Sequence, residues 1–144
     1  MHNNSECQSI NNTFPFPDRA RHIVTPEGAL YLTGGYQNLL KIFLDNTFIL
    51  DDHRSNLVPL QRMKQARADH AILYYRNSGQ IFVFGGMAFK DGSFTKVQSL
   101  NTCEVYNVKE DTWTEIPPMN HAKQSFGVCS FNDKYIFAFG GKQL

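Results

Sequence analysis

A short apolar segment that ends in two glycines constrains the fold of this sequence most strongly. Residues 80–86 read QIFVFGG, residues 135–141 read YIFAFGG, and residues 29–35 read ALYLTGG. The segment recurs at intervals of roughly 50 residues, and self-similarity at such a period indicates a repeat architecture. Four or five apolar residues closed by glycines favour a buried strand over a helix, because the glycines end the run and permit positive φ.

Each interval between glycine pairs contains two further strand patterns. When the first two units are aligned, Leu50 falls on Tyr106 and Leu57 falls on Trp113, and polar and apolar positions mostly agree. Turn residues separate the strand patterns within each unit. Every unit is therefore predicted to be a four-stranded antiparallel sheet with the glycine pair after its second strand.

The connecting segments give weaker predictions. Leu39–Leu44 is apolar enough to form a strand, whereas Met87–Ser99 is predicted to be a longer polar loop. The strand containing Pro59 is expected at a sheet edge, because proline cannot donate a ladder hydrogen bond. The chain is expected to divide into an extended or disordered leader, residues 1–19, and three units at about 20–63, 64–119 and 120–144.

The second unit carries an ordered set of residues that resembles the kelch repeat. Gly85 and Gly86 are followed by the pattern Glu104-Val105-Tyr106, Trp113, Pro117-Pro118-Met119 and Lys123. The first unit is a degenerate copy, with leucine where the second has Tyr106 and Trp113. The resemblance covers about residues 20–144 and implies an all-β fold of kelch-type β-propeller blades. It assigns structural roles between and within blades to Gly34, Gly35, Gly85, Gly86, Tyr106, Trp113, Gly140 and Gly141.

The number of repeats predicts an incomplete propeller. Propellers close with four to eight blades, and this sequence holds about two and a half. A partial propeller exposes strand edges and an apolar blade face. We therefore expect the chain to be a piece of a longer protein or an incomplete gene product, and the alternative is that several copies close a ring.

Composition limits the class of partner. The net charge is +1, which does not favour a nucleic-acid or acidic-lipid surface. No apolar run approaches the ~20 residues that a membrane-spanning helix needs. The cysteines, Cys7, Cys103 and Cys129, form no Cys-x-x-Cys pair and are interpreted as free thiols in the cytoplasm.

The sequence does not favour catalysis or a cofactor. The histidines, at positions 2, 22, 53, 70 and 121, lack metal-ligand spacing. His22 and His70 are interpreted as equivalent, structural positions at the start of successive units. No phosphate loop or nucleophile elbow is present, so the chain is predicted not to be an enzyme, and no metal or cofactor is expected.

The resemblance implies a protein-interaction module, within an adaptor or scaffold, whose partner is a ubiquitin-ligase component or a cytoskeletal protein. A small-molecule ligand is not expected. By position, the resemblance assigns partner binding to Tyr36, Gln37, Asn38, Arg67, Ala68, Asp69, Met87, Phe89, Lys90, Lys123, Gln124 and Ser125. An alternative role for Arg67 and Lys123 is to satisfy loop carbonyls within the blades. Two other functions stay open: a fragment of a propeller enzyme of the oxidase or sugar-epimerase type, and a structural fragment without independent function.

Overall fold

A computed structural model describes residues 17–51, 56–132 and 134–144. This part of the chain contains strands and turns but no helix, and hence no helix that could cross a lipid bilayer. Most of the expected leader, and His2, Cys7 and His53, lie outside the described residues. The strands are β1 Arg21–Val24, β2 Leu30–Thr33, β3 Tyr36–Gln37, β4 Ile42–Phe43, β5 Thr47–Asp51, β6 Asn56–Leu60, β7 Ala71–Tyr75, β8 Gln80–Phe84, β9 Met87–Phe89, β10 Val97–Ser99, β11 Cys103–Asn107, β12 Thr112–Ile116, β13 Gly127–Phe131 and β14 Tyr135–Phe139.

The strands form two complete blades and half of a third. Blade 1 has the strand order β1-β2-β5-β6, blade 2 has β7-β8-β11-β12, and blade 3 contains the hairpin β13-β14. All pairings are antiparallel. The first strands lie side by side, with β7 next to both β1 and β13. The prediction of kelch-type propeller blades, about two and a half in number, is confirmed.

The strand registers match the alignment of the repeats. Leu50 pairs with Leu57 in blade 1, and Tyr106 pairs with Trp113 at the same place in blade 2. Pro59 lies on β6, the edge strand of blade 1, as the sequence predicts for a proline within a strand. The spacing of apolar and turn residues was thus sufficient to define the four strands of each complete blade.

Apolar side chains fill the spaces between blades. One buried cluster joins Tyr31 and Met63 of the first unit to Ile81, Tyr106 and Trp113 of blade 2. A second cluster, containing Ala71, Phe84, Cys103 and Phe126, lies between blades 2 and 3. Since a single blade cannot cover its own two faces, these contacts hold neighbouring blades together.

Two predictions about connecting segments are wrong. Met87–Ser99 is not a polar loop but a hairpin of β9 and β10, with Met87 and Ala88 buried. Leu39–Leu44 does not form one strand, since Leu39 and Leu40 lie exposed in a turn and only β4 pairs with β3. Tyr36 and Met87 form backbone bridges with Asp18 and Ala68, which lie just before the first strands of blades 1 and 2. This pairing helps to order the two segments and leaves no mark in their own apolar pattern.

The third copy of the glycine-ended strand is more exposed than the repeat pattern predicts. Phe84 at the end of β8 is 8% exposed, whereas its equivalent Phe139 at the end of β14 is 54% exposed. The reason is that Phe84 packs against Cys103 of β11 and against Phe126 of the third unit, while β14 pairs only with β13 among the described strands. Blade 3 therefore presents an uncovered aromatic face.

Candidate functional site

The glycine pairs bring two kinds of loop to one end of the blades. Gly35 N–H donates to the carbonyl of Arg67 at 2.9 Å, and Gly86 N–H donates to the carbonyl of Lys123 at 2.8 Å. A Cβ atom on Gly86 would lie 2.6 Å from the carbonyl oxygen of Ala68, so the segment that opens the same blade leaves no room for a side chain. The segment after each glycine pair is consequently fixed against the residues that open the following blade.

Backbone hydrogen bonds connect the residues that open the three blades. Arg19, Asp69 and Ser125 each have positive φ and each lie just before a first strand. Asp69 N–H donates to the carbonyl of Arg19 at 3.1 Å, and Ser125 N–H donates to the carbonyl of Asp69 at 2.9 Å. These two hydrogen bonds therefore join the openings of three successive blades in series at the same end of the molecule.

A groove of about 420 Å³ lies between the hairpins β3–β4 and β9–β10 at this end. We call it the hairpin groove. Its walls contain aromatic and apolar side chains from both hairpins, together with polar residues from the segment before β1. The residues that line it are Asp18, Arg19, Tyr36, Asn38, Lys41, Phe43, Met87, Phe89, Phe94, Thr95 and Val97.

Aromatic rings form the floor of the hairpin groove. The ring of Phe43 lies 5.0 Å from that of Tyr36 and 4.8 Å, edge to face, from that of Phe89. Phe94, in the turn between β9 and β10, is 86% exposed. Leu39, at the tip of the other hairpin, is also 86% exposed. An exposed phenylalanine above an ordered aromatic floor is typical of a surface that binds another protein.

Basic side chains surround this groove. Lys41, Lys90 and Lys96 are exposed on the two hairpins. The carboxylate of Asp69 is paired with Arg19 at 3.4 Å and with Arg21 at 3.1 Å. Asp18 accepts a hydrogen bond from the amide of Asn38. None of these three lysines forms an ion pair with a described residue.

The structure distributes the predicted partner-binding residues over three environments. Tyr36, Asn38, Met87 and Phe89 line the hairpin groove. Gln37 and exposed Lys90 lie on the same hairpins, while half-buried Asp69 and Lys123 and exposed Ser125 lie at the openings of blades 2 and 3. Arg67, Ala68 and Gln124 are buried, at 0%, 0% and 1% exposure.

The partner-binding role of Arg67 is therefore corrected. Its guanidinium donates to the carbonyls of Gly85 at 2.7 Å and Thr102 at 2.9 Å, and to the carboxylate of Glu104 at 2.8 Å. Burial lowers the pKa of Arg67, and Glu104 opposes this shift. The alternative role, in which this side chain satisfies carbonyls inside the blades, is the one the structure supports. Gln124 and Ala68 are likewise too buried to contact a partner.

Glu104 is the acidic centre of this internal network. Besides Arg67, its carboxylate accepts hydrogen bonds from the backbone N–H groups of Lys64 at 2.6 Å and Gln65 at 3.1 Å. Glu104 belongs to blade 2, whereas Lys64 and Gln65 connect blade 1 to blade 2. The glutamate of the Glu104-Val105-Tyr106 pattern thus fixes a connecting loop, a role that sequence reasoning had not assigned.

His70 is a buried structural histidine, but it is not equivalent to His22. Its Nε2 lies 2.8 Å from Thr33 Oγ1, and the residue is 0% exposed. His22 pairs with Leu32 in the register where Ile72 pairs with Val83, so His22 corresponds to Ile72 and is exposed. Burial, followed by the charges of Arg67 and Arg21, holds the pKa of His70 well below its usual range.

We expect His70 to make the protein less stable in acid. In the unfolded chain this histidine binds a proton below about pH 6.5, but in the folded chain it stays neutral. Its contribution to stability is present above this pH and decreases as the pH falls, by up to about 1.4 kcal/mol per pH unit. Urea unfolding at pH 7.5 and 5.5 tests this, with His70→Gln and the exposed His22→Gln as a pair. A wild-type difference retained in His70→Gln would contradict the assignment.

Metal and thiol chemistry find little support in the described residues. No three His, Cys, Asp or Glu side chains there are grouped so as to hold a metal ion. Of the two described cysteines, Cys103 is buried, and burial raises the pKa of its thiol. Cys129 is exposed on β13.

Sequence reasoning missed several residues of the hairpin groove. Phe43, Phe94 and Val97 supply much of its apolar surface, and Arg19 and Lys41 supply charge. Phe94 had a recognisable signal, because it is a single aromatic residue within an otherwise polar turn. The others had none, since the groove depends on the pairing of β9 with β10.

Comparisons with known proteins agree with the repeat architecture. The sequence model of the family described as "Kelch motif" matches residues 77–120. The chain is 27% identical over 116 residues to Kelch repeat and BTB domain-containing protein 2 of Ectromelia virus (strain Moscow), covering 81% of this chain and 19% of that protein. It is 27% identical over 127 residues to Kelch-like protein 15 of Danio rerio, covering 79% and 20%.

A shorter match is closer in sequence. The chain is 49% identical over 43 residues to Kelch-like protein 7 of Homo sapiens, covering 30% of this chain and 7% of that protein. The chain spans about a fifth or less of the length of these relatives. The solved structure named "Structure of YjhT" superposes with a TM-score of 0.72 at 17% identity, over 92% of this chain and 37% of that one.

These matches fall on the features already described. The matched residues 77–120 contain the second glycine pair, the Glu104-Val105-Tyr106 pattern and Trp113. The superposition covers 92% of this chain, whose two complete blades have the same strand order. Residues 77–120 therefore carry a kelch motif, and the chain is similar over most of its length to kelch-repeat proteins.

Proposed function

We propose that this chain is a protein-interaction module, and that it binds a protein partner in the hairpin groove. The observation that carries the proposal is the exposed ring of Phe94 above the ordered aromatic floor of that groove. Binding through exposed aromatic anchors in a pre-formed groove requires little rearrangement of the free protein. The chemistry of the groove fits an apolar partner side chain with acidic neighbours.

The wider role we propose is recognition within an adaptor or scaffold protein of the cytoplasm. The relative from Ectromelia virus combines kelch repeats with a BTB domain, as its name states. An arrangement of that kind would let the blades select a partner while another domain connects it to an assembly. A ubiquitin-ligase component or a cytoskeletal protein is the class of partner we propose.

We expect Phe94→Ala to weaken partner binding at least about tenfold, because a central aromatic anchor contributes 2 kcal/mol or more to such interfaces. Phe131→Ala is the matched control, since Phe131 is 55% exposed at the other end of β13, away from the groove. The measurement is quantitative recovery of partners from source cells, followed by titration of the purified partner. Circular dichroism verifies that both variants stay folded.

The two variants separate the proposal from its rivals. Loss of binding in Phe94→Ala alone supports the hairpin groove. Equal recovery by wild type and Phe94→Ala contradicts it, as does an equal loss in Phe131→Ala.

A further inference from the structure

The two walls of the hairpin groove are the faces of short hairpins. Tyr36 lies directly opposite Phe43 across β3 and β4, and Phe89 lies directly opposite Val97 across β9 and β10. Residues directly opposite each other project from the same face of a hairpin. All four line the groove, which is therefore a space between two side-chain surfaces. The hairpins connect β2 to β5 and β8 to β11, within the two complete blades.

These hairpins offer few backbone groups to an extended partner. On the side away from β4, β3 is bridged to Asp18 by hydrogen bonds of 2.7 and 2.9 Å. On the side away from β10, β9 is bridged to Ala68 by hydrogen bonds of 2.8 and 3.0 Å. Among the described strands β4 and β10 have one neighbour each, but they contain only two and three residues. Edges as short as these are poor templates for an added strand.

Polar side chains of the groove already have partners within the chain. The amide of Asn38 donates to Asp18, and the guanidinium of Arg19 contacts the carboxylate of Asp69 at 3.4 Å. The floor between them is apolar and is centred on the ring of Phe43. An extended segment buried against this floor would leave some of its own backbone N–H and C=O groups unpaired, which is costly.

A helix avoids this cost because it pairs its backbone groups internally. The apolar stripe of an amphipathic helix is about 100° wide, which is broad enough to contact both the floor and the sides of a groove. Exposed apolar residues stand at the tips of both hairpins, Leu39 and Leu40 on one and Phe94 on the other. Insertion of an amphipathic helix into an apolar groove is a recurring mode of recognition.

The charge of the hairpins limits the partner further. Residues 36–43 and 87–99 contain Lys41, Lys90 and Lys96 but a single acidic residue, Asp91. All three lysines are exposed. A helix that lies between the hairpins is consequently best matched when acidic residues border its apolar stripe.

Given the partner site proposed above, we propose that its occupant is an amphipathic α-helix of the partner protein. The helix places apolar residues at positions i, i+3 or i+4, and i+7 against Phe43, Phe89 and Phe94. Glutamate or aspartate residues border this stripe and face Lys41 and Lys96. The helix pairs its own backbone, so the groove supplies side-chain contacts alone.

Selection from two peptide libraries displayed on phage tests this inference. One library has helix-forming residues throughout and random residues along one face. The other has the same length and a proline in the middle, which prevents a continuous helix. Both are selected on the full chain. We expect the first library to give binders with the apolar spacing and acidic neighbours described, and Phe94→Ala should bind them at least about tenfold more weakly.

Two substitutions then examine the strongest binder. Proline at a position opposite its apolar stripe should lower the affinity at least about 100-fold, because proline breaks a helix, whereas alanine at the same position should not. In the full chain Lys96→Glu should weaken binding at least about twofold, as expected for an exposed charge pair. Lys109→Glu, in the exposed turn between β11 and β12, should leave binding unchanged.

The outcomes separate the helix from the groove. Binders from the proline library that have equal or higher affinity and are lost in Phe94→Ala would mean that the groove binds an extended segment, which contradicts the helix and keeps the groove. Binders that Phe94→Ala retains at full affinity would contradict the groove itself. Tolerance of the proline opposite the stripe, or no binder from either library, would also overturn the helix.

Discussion

Replacing Trp113 with alanine is expected to lower the free energy of unfolding by about 3–5 kcal/mol, the range for removal of a large buried aromatic side chain. The indole of Trp113 is 4% exposed and lies 5.0 Å from the ring of Tyr106. Its Nε1–H crosses to blade 1, where it donates to Thr47 Oγ1 at 3.0 Å and to the carbonyl of Gln61 at 3.1 Å. The substitution therefore opens a cavity and removes bonds that join two blades.

Trp113→Phe separates these two effects. Phenylalanine keeps most of the ring volume but cannot donate to Thr47 or Gln61, so its loss should be smaller, about 1–3 kcal/mol. Urea unfolding monitored by circular dichroism measures both variants, and Thr114→Ala, on the exposed side of the same strand, is the control. A loss below about 1 kcal/mol for Trp113→Ala would contradict the position of this side chain between the blades.

Arg67→Met and Glu104→Gln are each expected to cost about 3–5 kcal/mol, because breaking a buried ion pair leaves one charge without its partner. The paired side chains are 0% and 1% exposed. The double variant should lose less than the sum of the two, since it removes both charges together. The exposed pair Arg62–Asp45, 3.3 Å apart, provides the control.

Chemical denaturation of the four proteins of this double-mutant cycle gives the coupling energy directly. Arg62→Met should change the free energy of unfolding by less than about 1 kcal/mol, as exposed ion pairs do. Additive losses for Arg67→Met and Glu104→Gln would mean that the two groups do not interact. Unchanged stability in Arg67→Met would mean that its guanidinium faces solvent.

The strands of the two complete blades could be predicted from the sequence because they have a local signal. Apolar residues run up to each glycine pair, and Leu50 and Tyr106 occupy the same register in successive blades. The hairpin β9–β10 could not be predicted in this way. Its strands have three residues each, and the bridge between Met87 and Ala68, which lies just before β7 of the same blade, helps to order them.

Burial separates the predicted site residues that face a groove from those that cannot. Tyr36 and Phe89 line the hairpin groove, since they follow the glycine pairs, and their binding role stays a prediction. A buried arginine and an exposed one look alike in a sequence. The residues next to Arg67 in the sequence do not indicate that Glu104 lies beside it and that the pair is buried. Pairing the glutamate of one strand with the basic residue of the preceding loop would have identified this bond.

Photo-crosslinking from the hairpin groove tests the central proposal most directly. A photoreactive phenylalanine analogue is introduced at Phe94 in one protein and at Phe131 in another, both expressed in source cells. If the groove binds the partner, illumination should give a crosslinked protein band from position 94 that is absent from position 131, and unlabelled wild-type chain should compete it away. Crosslinks from position 131 alone, or equal crosslinks from both positions, would contradict a partner site in the groove.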